Sequence, residues 1–316
     1  MQGNHGYPTF SSVTNFAPTA PGSTEAILVP LRFEDLTQDG RLVLEALPNA
    51  LGAIAWRAAL PRDPFVRTCF DKGIVAILTR FVVRALPGPF AANAKLEARG
   101  SHRIVLADDG RLMLDVAGAI HAPIGRTYSS TPHDGEMALA GEVLAEHAFT
   151  RLFSPPGKRR VTRDDLSDLP PVTETRPASP LPESIATLPI GATPLEPELR
   201  LDTVPFTFGL VHTDSNMHVN SLIYLRMFEE AALRRFVELG RGAAWLAREV
   251  DIAYRKPCFA GQTMRVAQQA FMHDGRLGVV ATLSPNLDTP ENLAGQRAVA
   301  AEPARPHTFM RMMFEP

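Results

Sequence analysis

The sequence predicts an α+β protein in which two repeats each combine a long helix with a curved antiparallel β-sheet. Residues 219–236 form an apolar run without Gly or Pro, and their apolar side chains occur on nearly every side of a helix, which is typical of a helix surrounded by protein. Alternating or apolar segments after this run predict antiparallel strands. Residues 25–125 show the same order, helix and then strands, at low sequence similarity, which indicates an internal repeat.

The composition is that of a globular protein without a polyanionic partner. Of 316 residues, 45% are hydrophobic, and 32 Lys and Arg residues face 34 Asp and Glu residues, for a formal net charge of -2. We therefore expect neither a nucleic acid nor a membrane surface as a partner. Cys69 and Cys258 lie far apart in the sequence, which argues against a disulfide framework or a cysteine-based zinc site. We expect no metal and no cofactor.

The N-terminal sequence and the hydropathy predict a cytoplasmic protein. No basic region followed by an apolar run opens the chain, and no window reaches the roughly 18 apolar residues that a membrane helix needs. Residues 1–24 are rich in Gly, Pro, Ser, Thr and Asn, which predicts a flexible N-terminal arm.

The first repeat is predicted over residues 25–125. The segments AILVPLRFE and RLVLEAL flank an Asp39-Gly40 turn and predict a β-hairpin. Helical spacing of apolar residues between 49 and 85 predicts one or two helices and then a strand near RFVVRAL. Three antiparallel strands are expected in AANAKLEARG, HRIVLAD and RLMLDVAGAIHA, with a hairpin turn at Asp109-Gly110.

Residues 126–197 are predicted to be a Pro-rich linker laid along the surface. Its segment EMALAGEVLAEHAFTRLF predicts a short helix. The basic cluster of Lys158, Arg159 and Arg160 is typical of a solvated face, with contact to an acidic carrier protein as the alternative.

The second repeat is predicted over residues 198–316. A strand is expected in RLDTVPFTFGLVH, and the long helix should end near Gly240. Four strands should follow, in WLAREVDIAYRKPCF, GQTMRVAQQAFMH, RLGVVATLS and HTFMRMMF, with a hairpin turn at Asp274-Gly275.

A polar cluster stands directly before the long helix of the second repeat. Asp214, Asn216 and His218 can each bind, orient or deprotonate a water molecule, and the free N–H groups of a helix start favour developing negative charge. Helix capping would by itself explain an Asp or Asn at this place. It would not explain His218 and Asn220 in the first turn of an apolar helix, where an unpaired polar group costs free energy.

The spacing D-x-N-x-H-V-N at Asp214, Asn216, His218, Val219 and Asn220 resembles that of the hotdog-fold thioesterases, and most of all that of the plant acyl-ACP thioesterases. Members of that family carry two hotdog repeats in one chain, so the resemblance implies a double hotdog. Their second repeat continues with V-N-N and a Tyr.

This chain keeps part of the remaining family pattern. Ser221 replaces the second Asn, and Tyr224 is retained. The family's Y-R-R-E-C-like segment corresponds to Tyr254 through Cys258, and Pro257 stands where the family has Glu. Bacterial hydroxybenzoyl-CoA-type thioesterases are similar in the same Asp-before-helix pattern.

The resemblance implies an enzyme of fatty acid or polyketide metabolism that hydrolyses an acyl-CoA or acyl-ACP thioester, as a monomer of two repeats or as a homodimer. Such hydrolysis needs a positioned water, a proton acceptor and donors for the oxyanion. Backbone N–H groups around His218 to Asn220 are the expected oxyanion donors. The expected catalytic residues are Asp214, Asn216 and His218, and the expected substrate-binding residues are Val219, Asn220, Tyr224 and Cys258.

Other functions remain open from the sequence. Cys258 could be a nucleophile activated by His218 and oriented by Asn216, although a lone cysteine in an apolar strand is more often inert. The fold could serve a dehydration, condensation or release reaction on a carrier-bound intermediate. The dehydratase motif H-x-x-x-G-x-x-x-x-P has its nearest match at His121 to Gly125, which lacks the Pro. A non-catalytic acyl-binding protein is the third alternative.

Overall fold

The structure is a computed structural model that describes residues 24–56, 60–92, 94–125, 135–162, 165, 167, 169–286 and 305–316. The chain divides into two compact units, Met1–Ser179 and Pro180–Pro316. The predicted N-terminal arm over residues 1–24 lies outside the described residues except for Thr24.

The first unit is an antiparallel sheet with two helices. The strands run in the order β1-β3-β4-β5-β2, and the short β6 pairs in parallel with β3. The described elements are β1 (Thr24–Pro30), α1 (Ala46–Ile54), α2 (Pro64–Asp71), β2 (Val75–Ala85), β3 (Lys95–Ala107), β4 (Leu112–Pro123), β5 (Met137–Thr150) and β6 (Thr175–Arg176).

Helix α1 packs closely on the sheet because two strand positions are glycine. A Cβ atom at Gly141 would lie 2.4 Å from Cδ1 of Leu47, and one at Gly118 would lie 2.5 Å from Cδ1 of Leu51. Neither distance is tolerable for a real Cβ atom, so both glycines permit the helix to approach the strands.

The predicted N-terminal hairpin is wrong. Strand β1 pairs with β3, with Thr24 opposite Ser101 and Pro30 opposite Lys95. The Asp39-Gly40 turn does form, with Gly40 at a φ of 83°, but the segment after it leads into α1. The three strands predicted over residues 91–122 are in fact two, because β3 continues without a break through Ser101 and His102.

The helix predicted in the linker is also wrong, because Met137–Thr150 is strand β5. It pairs with β4 on one side and β2 on the other. Ala, Leu, Glu and Met favour helix in isolation, but pairing on both edges overrides that weak preference.

The rest of the predicted linker is divided between the units. Arg176 donates to both carboxylate oxygens of the buried Asp115, at 2.8 and 2.9 Å, and Ser179 Oγ donates to Glu146 at 2.5 Å. These contacts fix residues 175–179 to the first sheet. The segment from Pro180 belongs to the second unit.

The second unit has one long helix and a four-stranded antiparallel sheet of order β10-β13-β12-β11, with three short strands on the outer edge of β11. Its described elements are α3 (Pro182–Ile185), β7 (Thr193–Pro194), β8 (Arg200–Leu201), β9 (Phe206–Thr207), α4 (Ser221–Glu238), β10 (Leu246–Tyr254), β11 (Thr263–His273), β12 (Arg276–Pro285) and β13 (Thr308–Glu315). The four strands predicted after the helix are therefore confirmed.

The strand predicted over residues 200–212 is broken into pieces. Only the two-residue segments β8 and β9 form strands within it, and Leu210–His212 is a 3-10 turn. The Asp202 side chain accepts from the Val204 N–H at 3.3 Å, and Pro205 lacks the N–H that a continuous strand needs.

Helix α4 ends as predicted, while its burial is less complete than predicted. Gly240 has a φ of 70° and donates to the Val237 carbonyl, and Arg241 donates to the Phe236 carbonyl, which together form a Schellman motif. One broad face of α4 is buried, but Arg226 and Glu230 are exposed on the opposite side.

Candidate functional site

The predicted site lies on a tight turn that leads into α4. The Asp214 N–H donates to the His218 carbonyl at 3.1 Å, and the Met217 N–H donates back to the Asp214 carbonyl at 3.0 Å. Met217 adopts a φ of 63°, the left-handed conformation that closes such a turn. A β-bridge between Thr213 and Val219 holds the two ends of the turn together.

The Asp214 carboxylate is held by two donors. One oxygen accepts from the Asn216 N–H at 2.9 Å, and the other accepts from Nδ2 of Asn220 at 3.3 Å. Asp214 is half-buried. A carboxylate oxygen can accept more than one hydrogen bond, so each oxygen retains capacity for a water or substrate donor.

Asn220 connects this carboxylate to the helix. It is the N-cap of α4, and its Oδ1 accepts from the Leu222 N–H at 2.9 Å. Its own N–H donates to the His212 carbonyl at 2.9 Å. Because the same amide group caps the helix and binds Asp214, the carboxylate is fixed directly beside the helix start.

His218 is placed before the helix and not in its first turn, since α4 begins at Ser221. Its Nδ1 lies 3.2 Å from the Val219 carbonyl oxygen. A carbonyl only accepts, so Nδ1 donates, and the tautomer that this contact favours has its lone pair on Nε2. Among the described contacts, none joins the His218 ring to Asp214 or Asn216; the Asn216 side chain is exposed.

Two of the three predicted oxyanion donors, the N–H groups of Val219 and Asn220, need correction. The Val219 N–H donates to the Cys258 carbonyl at 2.8 Å, and the Asn220 N–H is bonded to His212. Both groups are therefore occupied within the protein. Within the described part of the chain, the N–H groups of His218 and of Ser221, the first helical residue, have no acceptor.

The remaining predicted site residues are buried. Val219, Tyr224 and Cys258 lie in the core, and the Tyr224 hydroxyl accepts from the Cys258 N–H at 3.1 Å. Burial, together with the neighbouring Cys258, raises the pKa of Tyr224. The backbone of Cys258 therefore joins α4, through Tyr224, to the turn, through Val219.

The structure pairs Cys258 with His307, and this corrects the hypothesis that His218 is its partner. Sγ of Cys258 lies 3.5 Å from Nδ1 of His307. Burial raises the pKa of Cys258 to about 11. Burial and, secondarily, the positive charge of Lys256 lower the pKa of His307. Both residues are therefore neutral near pH 7.

Sequence reasoning missed His307, and only strand pairing could have revealed it. Thr308 lies opposite Tyr254 in the β10–β13 register. The residue before Thr308 therefore meets the segment that follows Tyr254, and the His307 carbonyl accepts from the N–H groups of Arg255 and Lys256. Nothing local around His307 indicates this contact.

Pro257, which stands where the plant acyl-ACP thioesterases that the motif resembles have Glu, is exposed. Its neighbour Arg255 donates to Glu183 at 3.0 Å. Among the described residues, no group of three or more His, Cys, Asp and Glu side chains could hold a metal ion. In the same residues, no helix has the length and apolar character needed to span a bilayer.

Comparisons with known proteins show the fold. No protein-family model and no curated protein sequence matches this chain. Among solved structures, a putative oleoyl thioesterase from Lactobacillus plantarum is 11% identical with a TM-score of 0.59, covering 94% of this chain and 97% of its own. An acyl-ACP thioesterase from Bacteroides thetaiotaomicron is 14% identical with a TM-score of 0.56, covering 93% and 98%.

A plant enzyme gives the same result. The 12:0-ACP thioesterase from Umbellularia californica is 13% identical with a TM-score of 0.55, and the match covers 93% of this chain and 95% of that one. The chain thus has the double-hotdog fold of these proteins, which confirms the predicted α+β class and its two repeats. At such low identity the likeness concerns the fold, and the activity must be argued from the site.

Proposed function

We propose that the protein is an acyl thioesterase that hydrolyses an acyl-CoA or acyl-ACP thioester with a water activated by Asp214, Asn216 and His218. The observation that carries this proposal is the position of Asp214. Its carboxylate is held by Asn216 and Asn220 at the entrance to α4, where a helix start favours the negative charge that develops during acyl transfer. The double-hotdog fold supports the same reaction class.

In the proposed reaction, a water hydrogen-bonded to Asp214 attacks the thioester carbonyl carbon. Its proton passes to the carboxylate or to Nε2 of His218 as the new C–O bond forms. The tetrahedral oxyanion then collapses, the C–S bond breaks, and the products are the carboxylic acid and the free thiol of the carrier. A thiolate is a good leaving group, so little acid assistance is needed.

The oxyanion is assigned to the backbone at the helix start. With the Val219 and Asn220 N–H groups bonded internally, the N–H groups of His218 and Ser221 are the donors proposed for the developing charge. Asn216, whose side chain is exposed, is proposed to hold the water or the thioester through its amide. Val219, Asn220, Tyr224 and Cys258 are proposed to shape the substrate site.

A covalent mechanism through Cys258 is disfavoured by its surroundings. The thiolate is the nucleophilic form of cysteine, and burial raises the pKa of this thiol to about 11. A thiol that is fully buried and protonated at neutral pH is a poor nucleophile.

We also propose the carrier of the acyl group, the place where the enzyme acts and its oligomeric state. The substrate is an acyl group on coenzyme A or on an acyl carrier protein, in fatty acid or polyketide metabolism. The enzyme acts in the cytoplasm, as a monomer of two repeats or as a homodimer.

The experiment that tests this function follows free thiol release from a panel of acyl-CoA and acyl-carrier thioesters incubated with the purified full chain. Release that is lost in Asp214→Asn and His218→Ala supports hydrolysis at this site. The matched control for the second variant is His273→Ala, which removes a partly exposed histidine from the β11–β12 hairpin.

The alternatives give different results in the same assay. Saturable acyl binding without thiol release from any thioester would replace hydrolysis with an acyl-binding function, for which Pro257 in place of an acid is the favouring observation. Loss of water from a hydroxyacyl thioester, without thiol release, would indicate a dehydratase.

A further inference from the structure

Gln268, in the middle of β11, leaves a buried acceptor without a partner. Its Nε2 donates to the Ala231 carbonyl of α4 at 2.8 Å. The residue is 2% exposed, and its Oε1 has no hydrogen-bond partner among the described residues. Because Oε1 and Nε2 are bonded to the same carbon, Oε1 also lies in the layer between α4 and the sheet.

Such an acceptor calls for an explanation. Most buried side-chain polar atoms are hydrogen-bonded, and an unpaired one costs free energy. The amide cannot be turned over to remove the problem, because the Ala231 carbonyl requires a donor at the position of Nε2. A donor that enters the layer between α4 and the sheet would satisfy Oε1.

The neighbours of Gln268 suit the entry of a slender apolar chain. The strand register places Ala281 and Met310 on the same face beside it, and Ala231 and Ala232 are buried on α4. Alanine is small, and methionine is flexible enough to adapt to an inserted group.

A second unpartnered atom lies on the same face, closer to the candidate site. Thr308 is buried, and its Oγ1 has no partner among the described residues. It lies opposite Tyr254, whose hydroxyl donates to the Ser221 carbonyl at the start of α4. Gln268 on β11 is two strands from Thr308 on β13, and it is one inward-facing position further along the strand direction. Standard strand spacings therefore place the two residues roughly 12 Å apart.

The helix gives an independent measure of how far Gln268 lies from the candidate site. The contact of Gln268 is Ala231, ten residues after Ser221, or about 15 Å along the helix axis. A chain attached to a thioester at the Asp214 turn would therefore pass Thr308 before it reaches Gln268.

We propose that Gln268 is a specificity-determining residue for acyl chains that carry a hydroxyl group remote from the thioester. The acyl chain lies between α4 and the sheet, and Oε1 of Gln268 accepts a hydrogen bond from its hydroxyl. This inference rests on the proposed acyl thioester substrate, and it names the class of acyl group.

The test compares thioesters of equal chain length, unsubstituted or with one hydroxyl placed at successive positions along the chain. The purified full-length protein should show kcat/KM about 2- to 12-fold higher for one hydroxyl position than for the unsubstituted chain, the range expected for one neutral hydrogen bond. Equal or lower kcat/KM at every position overturns the proposal without any need for a variant.

Two neighbouring variants locate the effect. Gln268→Met should abolish the preference for the hydroxylated chain, because it removes Oε1 at similar volume. Gln269→Met is the matched control, because Nε2 of Gln269 also donates to a backbone carbonyl, that of Glu196, at 2.8 Å. The control should keep the preference, and a preference that survives in Gln268→Met contradicts the assignment.

A binding measurement separates this inference from the proposed hydrolysis. Free fatty acids with and without the hydroxyl are added, and the shift in Tm is measured. If no thioester is cleaved but the hydroxylated acid raises Tm more in wild type than in Gln268→Met, hydrolysis fails and the Gln268 site stands. Equal shifts for both acids overturn the Gln268 site, whatever the outcome for hydrolysis.

Discussion

At the residue scale, the candidate site is built from residues that each make two kinds of contact. Asn220 caps α4 through Oδ1 and binds Asp214 through Nδ2. Cys258 uses its backbone to join Val219 and Tyr224, and its thiol rests against His307. The positions of these groups are thus set by the fold, which is what a preorganised site requires.

Replacement of the Cys258 thiol distinguishes the water mechanism from a covalent mechanism through Cys258. Cys258→Ser should lower kcat/KM by about tenfold or less, because a thiol with a pKa of about 11 is protonated and is not the nucleophile. Thiol release under single-turnover conditions measures the effect.

The control for this variant is Cys69→Ser, which replaces a second buried cysteine whose pKa burial raises to about 12. If Cys258→Ser loses activity as completely as Asp214→Asn while it remains folded, the water mechanism must give way to a covalent one.

At the element scale, the close packing of helix α1 on the sheet of the first unit requires glycine at two strand positions. Gly141→Ala should reduce the free energy of unfolding by about 1 to 3 kcal/mol, the usual effect of overpacking. Its new methyl group would lie 2.4 Å from Cδ1 of Leu47 and 2.7 Å from the Arg84 carbonyl oxygen. Chemical denaturation measures the change.

A glycine within α1 itself provides the control. A Cβ atom at Gly52 meets nothing within 4 Å, so Gly52→Ala should stabilise the protein by about 0.4 to 1 kcal/mol through helix propensity and reduced freedom of the unfolded chain. Equal effects of the two alanines would contradict the close packing of α1 on β5.

The elements also show what the sequence could predict. Strands β10 to β13 were predictable because their alternation and the Asp274-Gly275 turn are local signals, and both turn residues take positive φ, 50° and 76°. Strand β5 was not, because its residues favour helix and only pairing with β2 and β4 makes it extended. The N-terminal hairpin failed for the same reason, since the partner of β1 lies some 70 residues further along the chain.

The candidate site was likewise predictable only where its signals are local. The spacing of Asp214, Asn216 and His218 is visible in the sequence, and it locates the turn before α4. The contact of Cys258 with His307 joins residues 49 positions apart and depends on the β10–β13 register. The role of Asn220 as N-cap, and not as a first-turn residue, depends on where the helix begins.

At the scale of the whole molecule, stability should depend on pH through a buried histidine. Burial lowers the pKa of His147 to about 4, below the value of about 6.5 for an unfolded chain. Between these values the unfolded state binds more protons, so stability is full above pH 6.5 and falls as the pH drops toward 4. The loss should reach up to about 3 kcal/mol.

Thermal unfolding across this pH range tests the prediction. His147→Gln should flatten the decline in Tm between pH 6.5 and 4, because its amide does not titrate there. His273→Gln, which replaces a partly exposed histidine, should leave the decline unchanged. An identical pH profile for wild type and His147→Gln would contradict the assignment to this buried ring.

The most direct test of the central claim is the single-turnover rate of thiol release by Asp214→Asn, compared with Asp274→Asn on the exposed β11–β12 turn. The amide of Asp214→Asn can no longer accept the proton of the attacking water, so its rate should fall by about 100-fold or more. Asp274→Asn should keep the wild-type rate. Equal rates for Asp214→Asn and wild type on an accepted thioester would contradict the proposal that Asp214 activates the water.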